Sequence, residues 1–116
     1  MMEKSIRTDG ETPLEFDRQK LYVLLTEIPR GRVTTYGALA RMLGNPLWAR
    51  AVGNALNQNP DGDRYPCYRV VNLRGELSSA YAFGGIAAQE RRLAADGITV
   101  QGGRVDLARY LWDGSR

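Results

Sequence analysis

The chain reads as a mostly helical α+β domain. Apolar residues recur at helical spacing in several separate segments, whereas the β-branched runs that favour extended backbone are only two or three residues long. Glycine, proline and asparagine clusters punctuate these segments at short intervals. At 116 residues, 43% hydrophobic and 25% charged, the chain suits one small domain with a modest core.

Residues 1–11 are polar and aperiodic and are expected to form a loose tail before a domain spanning 12–116. Thr12-Pro13-Leu14-Glu15 offers a helix N-cap, a proline for the first turn and a glutamate placed to close a capping box. Phe16, Leu21, Leu24, Leu25 and Ile28 continue that helix to the Pro29-Arg30-Gly31 turn, and Arg32-Val33-Thr34 follows as a short extended piece. Thr35 caps a second helix with the stripe Tyr36, Leu39, Ala40 and Leu43. Gly44-Asn45-Pro46 ends it and starts a third, from Leu47 to about Gln58, which buries Trp48, Ala51, Val52, Ala55 and Leu56. Two short helices joined this way form a helix-turn-helix pattern.

A turn-rich segment, Asn59 to Asp63, leads into RYPCYRVV, residues 64–71. Val70 and Val71 favour extended backbone, and Arg74-Gly75 is expected to close a hairpin. Ser78 to Gly85 reads as a loop and Ile86 to Ala95 as a helix stopped by Asp96-Gly97. A short strand at Ile98-Thr99-Val100 and a last helical turn capped by Asp106, carrying Leu107, Tyr110 and Leu111, complete the chain.

The formal charge of +3 permits nucleic-acid binding without requiring it. A single cysteine with no histidine excludes an intramolecular disulfide and argues against zinc. No apolar run approaches a membrane span and the charged N-terminus does not resemble a signal peptide, so a cytoplasmic protein with no membrane role is expected.

On the third helix, Arg50, Gly53, Asn54 and Asn57 share the polar face, with Ala49 and Ala51 beside them. A surface this low can approach a partner closely and insert one guanidinium, which suits the DNA minor groove. It equally fits a plain solvated face. Cys67 is similarly open on its own residues. A lone cysteine is more often a small buried apolar residue, and a nucleophile needs a neighbour that favours thiolate. The local candidates are Arg64, Arg69, backbone N–H groups and the Tyr68 phenol, a poor base near neutral pH.

In order and at these spacings, IPRGRVTTYG, GNPLWARAVGNALNQNP, PCYRVV and the Tyr81–Gly85 stretch ending in two glycines resemble the DNA-binding domain of O6-alkylguanine-DNA alkyltransferases. The resemblance runs from about Phe16 to Ile98. It implies a winged helix-turn-helix-like domain with a small β-hairpin, monomeric and without a cofactor. Such a domain enters the minor groove of double-stranded DNA, flips O6-alkylguanine and moves the alkyl group irreversibly to a cysteine. Cys67 matches that acceptor, Arg50 the arginine that fills the vacated stack, and Tyr36 the tyrosine that steers the phosphate. Thr35, Asn45, Ala49, Ala51, Gly53 and Asn57 fall on groove and backbone contacts. Asn59 matches the hinge asparagine, and Pro66, Arg69 and Val70 the frame of the acceptor turn. Tyr81 falls near the tyrosine lining the base pocket, in a loop one residue longer.

Two departures qualify the match. Tyr68 stands where the family's relay has histidine, with Asp96 near the place of the relay glutamate, and the resemblance does not extend to the family's usual N-terminal companion domain. Both resemble the short alkyltransferase-like proteins, which bind the lesion and recruit nucleotide excision repair proteins without transferring anything, although those usually lack the cysteine. Retention of Cys67 places alkyl transfer first and lesion sensing second. A regulator reading the major groove ranks last, because Gly53 and Asn57 are short for base reading.

Overall fold

In the computed structural model, residues 15–115 are described. The expected cap at Thr12, Pro13 and Leu14 lies outside them. Glu15 sits in a bend ahead of the helix. Helix α1 instead spans Arg18–Leu25. Its cap is Asp17, whose Oδ1 accepts from the Gln19 and Lys20 N–H groups at 2.9 and 3.3 Å. A carboxylate at this position satisfies free N–H groups and opposes the positive helix end, which fixes the start there. Phe16 stays outside the helix and meets Trp48 edge-on at 5.9 Å.

Strand β1, Thr34–Thr35, leads directly into α2, Tyr36–Met42. Thr35 caps α2 as expected, its hydroxyl accepting from the Ala38 N–H at 3.1 Å. The end of α2 is a paired C-terminal closure. Gly44, at φ 113°, donates to the Arg41 carbonyl, and Asn45 donates to the Ala40 carbonyl, both at 3.0 Å. Asn45 then opens a 3-10 turn, Pro46–Trp48, by accepting from the Leu47 N–H at 2.9 Å. Helix α3, Ala49–Asn57, follows and buries Val52, Ala55 and Leu56.

Strand β2, Val70–Val71, pairs parallel with β1, Thr34 opposite Val70 and Thr35 opposite Val71. This short ladder lies in the core and sets the start of the helix-turn-helix beside the Cys67 segment. On the other side of β1, Val33 exchanges hydrogen bonds with the Tyr110–Trp112 segment at 3.0 and 2.7 Å.

The expected hairpin at Arg74-Gly75 does not form. Asn72 to Gly75 is a tight turn, with Gly75 at φ 81°. However, β2 before it is committed to β1, and the chain after it bridges to Arg104 through Glu76. The antiparallel hairpin lies further on, between β3, Val100–Gln101, and β4, Arg104–Val105. Gly102 and Gly103 turn it, both with positive φ, as a two-residue loop of matching twist demands. The Gly-Gly pair carries the sequence signal for this hairpin.

Helix α4, Gly85–Ala95, packs over the Cys67 segment, and α5, Leu107–Tyr110, is capped by Asp106 as expected. The described residues thus give an α+β, mostly helical domain. None of their helices is long and apolar enough to cross a membrane.

Candidate nucleic-acid interface and reactive turn

Arg50, Asn54 and Asn57 are exposed on the outer side of α3, opposite the core stripe. Ala49, Ala51 and Gly53 are half-buried between them. A Cβ on Gly53 would lie 4.0 Å from the Tyr36 ring, an ordinary contact. Packing therefore does not require glycine there, and its effect is to keep the wall beside Tyr36 low. Leu47, at the tip of the preceding turn, is 86% exposed. Thr35 and Asn45 are placed differently, because their side-chain oxygens cap α2 and the 3-10 turn before α3 from buried and half-buried positions.

Behind α3, Asn59 fixes the path to the cysteine. Its buried amide donates to the Tyr65 carbonyl at 2.8 Å and accepts from the Asp61 N–H at 3.0 Å. Tyr65 stacks on Tyr22 at 5.1 Å, and the Tyr22 hydroxyl donates to the Ala55 carbonyl at 2.9 Å. The entrance to the reactive segment is thereby tied to α1 and α3. Pro66 precedes a 3-10 turn, Cys67–Arg69, in which the cysteine is free and buried.

Cys67 lines a narrow cleft that is partly open to solvent. Tyr36, Gly53 and Asn57 of the helix-turn-helix line one side of it, and Ser78, Tyr81 and Gln89 the other. The fold thus brings together residues from both halves of the sequence around one thiol. Burial pushes that thiol above its ordinary range, and a hydrogen bond with the Asn59 side chain, its own backbone and the Arg92 charge only partly oppose the rise.

Tyr68 faces elsewhere. Its hydroxyl donates to Asp96 Oδ2 at 2.9 Å, and Arg69 Nε donates to the same oxygen at 2.8 Å. Arg30 Nε approaches the other carboxylate oxygen at 3.5 Å. Burial raises the Tyr68 phenol further from neutrality, and donation to a carboxylate acts in the same direction. Deprotonation would break that bond and set two negative groups together. Tyr68 and Asp96 therefore form a closed polar hub with Arg69, in which Tyr68 holds its proton.

Gln89 and Arg92, which motif reasoning missed, complete the frame. Gln89 is 1% exposed; its amide donates to the Tyr68 and Val70 carbonyls at 3.0 Å each. Its oxygen accepts from the Ser78 N–H at 2.8 Å, clasping the cleft loop to the reactive turn. A glutamine inside an amphipathic helix gives no sequence signal beyond its place on the inward face.

At the loop's end Gly84 and Gly85 both take positive φ, and a Cβ on Gly84 would lie 2.7 Å from Ala88 Cβ. The paired glycines let the chain turn sharply into α4. No acidic, histidine or cysteine cluster suited to a metal occurs among the described residues.

The model of the 6-O-methylguanine DNA methyltransferase DNA-binding domain matches residues 16–98. A DNA base-flipping protein of Escherichia coli is 40% identical over 82% of this chain and 73% of its own length. A bifunctional methyltransferase/endonuclease of Picrophilus torridus is 49% identical, but its alignment covers 80% of this chain and only 30% of that protein. Among solved structures, Schizosaccharomyces pombe Atl1 in complex with damaged DNA containing O6-carboxymethylguanine superposes with a TM-score of 0.74. That match is 34% identical and covers 82% of this chain and 93% of that one. With its helix-turn-helix, its buried thiol and this match over most of its length, the chain belongs to the DNA-binding domain family of the 6-O-methylguanine DNA methyltransferases, DNA-repair alkyltransferases.

Proposed function

We propose that the protein binds duplex DNA through the exposed face of α3, flips O6-alkylguanine into the Cys67 cleft, and at neutral pH acts mainly as a lesion binder. Arg50 takes the vacated place in the stack, Tyr36 and Tyr81 flank the base, and Cys67 floors the site. Extruding a base costs a few kcal/mol, which an inserted guanidinium offsets. The observation that carries this reading is the Tyr68–Asp96 hydrogen bond. It removes the one neighbouring group in the relay position as a proton acceptor for the thiol.

Transfer is then limited by the small thiolate fraction of Cys67. In the transfer step the sulfur forms a bond to the alkyl carbon and the carbon–O6 bond breaks, leaving its electron pair on O6. The thiol proton ends on the guanine ring. No cofactor takes part, and the protein works as a monomer on double-stranded DNA in the cytoplasm or nucleoid. Recruitment of nucleotide excision repair proteins belongs to the lesion-sensing role.

The test is intact mass after incubation with an O6-methylguanine duplex, at about pH 7 and about pH 9, alongside affinity for damaged and undamaged duplexes. Because the thiol lies above its usual range, the rate of methyl gain should rise about tenfold per pH unit below that point. Cys67→Ser should abolish methyl gain and keep lesion binding. Equal affinity for the two duplexes would overturn the proposal. Selective binding with no methyl gain at either pH leaves the pure sensor.

A further inference from the structure

Gly62 is buried although it lies in a turn between exposed Asp61 and Asp63. Its cover is Phe83 of the cleft loop. A Cβ on Gly62 would lie 2.8 and 2.9 Å from Phe83 Cε2 and Cδ2, closer than carbon atoms pack. The φ of Gly62 is not positive, so the backbone itself would accept an alanine. The ring alone demands glycine there.

Phe83 belongs to a loop that is closed on itself. The Tyr81 N–H donates to the Ser78 carbonyl at 3.1 Å, and the Tyr81 carbonyl accepts from the Gly84 and Gly85 N–H groups at 3.3 and 3.0 Å. Phe83 meets the Tyr81 ring edge-on at 5.7 Å, and Tyr81 lines the Cys67 cleft together with Ala80 and Ala82. Whatever holds Phe83 therefore holds that wall of the cleft. The loop's other ties lie at its two ends, the Gln89 clasp on Ser78 and the paired glycines entering α4. Neither reaches the turn that holds Gly62. Arg92 of α4, whose guanidinium lies 4.5 Å over the Tyr68 ring, does reach it by pairing with Asp63 at 3.2 Å. That pair is open to solvent and contributes little.

We infer that Phe83 seated on Gly62 is a latch, which holds the cleft loop and Tyr81 against the segment leading into Cys67 and so limits the size of the O6 substituent that reaches the thiol. Phe83 does not line the cleft, so it is a positioning residue acting through Tyr81. Small alkyl groups are favoured over arylmethyl groups. This choice of substrate rests on the cleft being the seat of the flipped base, whereas the latch itself is tested without DNA.

Two thiol reagents of different size read the latch on the free protein. Iodoacetamide forms a sulfur–carbon bond as iodide leaves. Pyrenylmaleimide adds the sulfur across its double bond, and the proton goes to the neighbouring carbon. Both consume the same thiolate, so the ratio of their rates cancels its abundance and reports access. Phe83→Ala should raise the pyrenylmaleimide-to-iodoacetamide ratio about tenfold, as expected when a half-buried ring gives up its contact. Gly62→Ala should raise it by a similar factor, because its Cβ displaces the ring and deletes nothing. The double variant should show no further increase.

An unchanged ratio in either single variant, or effects that add in the double, would overturn the latch. Should Phe83→Ala fail to fold by circular dichroism, Gly62→Ala decides alone. On DNA, either variant should raise affinity for an O6-benzylguanine duplex relative to an O6-methylguanine duplex. An unmoved preference beside a raised reagent ratio would overturn the selection of small groups. A raised ratio in a protein that binds damaged and undamaged duplexes alike would sink the proposed function and leave the latch standing.

Discussion

Helix α3 presents Arg50, Asn54 and Asn57 to solvent and rests on Val52, Ala55 and Leu56, so its outer face carries little of the fold. The Cys67–Arg69 turn is the reverse. It is largely buried, and its backbone and side chains are held by residues distant in sequence, Gln89, Asp96 and Ile28. Substitutions on the first region should change binding and spare stability. Substitutions around the second should change stability and chemistry together. The low outer face of α3 is thus free to be shaped by a partner, while the reactive turn is constrained by the core.

The largest effect should come from the clasp. Gln89→Leu leaves two carbonyls and one N–H unpaired in the interior, and chemical denaturation should register a loss of about 3 kcal/mol. A loss well under 1 kcal/mol would show that the turn holds its own shape and erase the contrast with α3.

Next, Tyr68→His should speed methyl transfer by roughly a hundredfold, because an imidazole in that place can accept a proton while Asp96 orients it. If single-turnover rates stay at the level of the unsubstituted protein, deprotonation is not what limits Cys67.

Arg50→Ala should weaken binding to an O6-methylguanine duplex by about tenfold and leave the melting temperature within error, since the side chain is exposed. An equal loss on undamaged duplex would reduce Arg50 to a phosphate contact. Asn57→Ala, at the exposed end of the same face, should change stability by less than about 0.5 kcal/mol. It sets the baseline against which Gln89→Leu is judged.

Local features were legible where their partners lie within a few residues. The Thr35 cap, the Gly44 closure, the start of the second recognition segment at Asn45-Pro46 and the Asp106 cap all use hydrogen bonds of short sequence separation. The α3 face follows from periodicity alone, and Asn59 stands out in its turn-rich setting. The first helix begins later than the Thr12-Pro13 signal suggests, at the Asp17 cap. The hairpin turns at Gly102-Gly103 rather than at the expected Arg74-Gly75. In each case the choice depended on what the neighbouring strand or helix packed against.

The residues by themselves determined the helix-turn-helix, the face it turns outward, and a single thiol with no histidine to activate it. Which groups surround that thiol was decided only by the tertiary structure. The parallel β1–β2 ladder carries Tyr36 to the Cys67 cleft, and α4 brings Gln89, Arg92 and Asp96 onto the turn. The same packing turns the Tyr68 proton toward Asp96 and away from service to Cys67. Periodicity reports which face of a helix is apolar, but a proton's destination depends on which carboxylate the core leaves within hydrogen-bond reach.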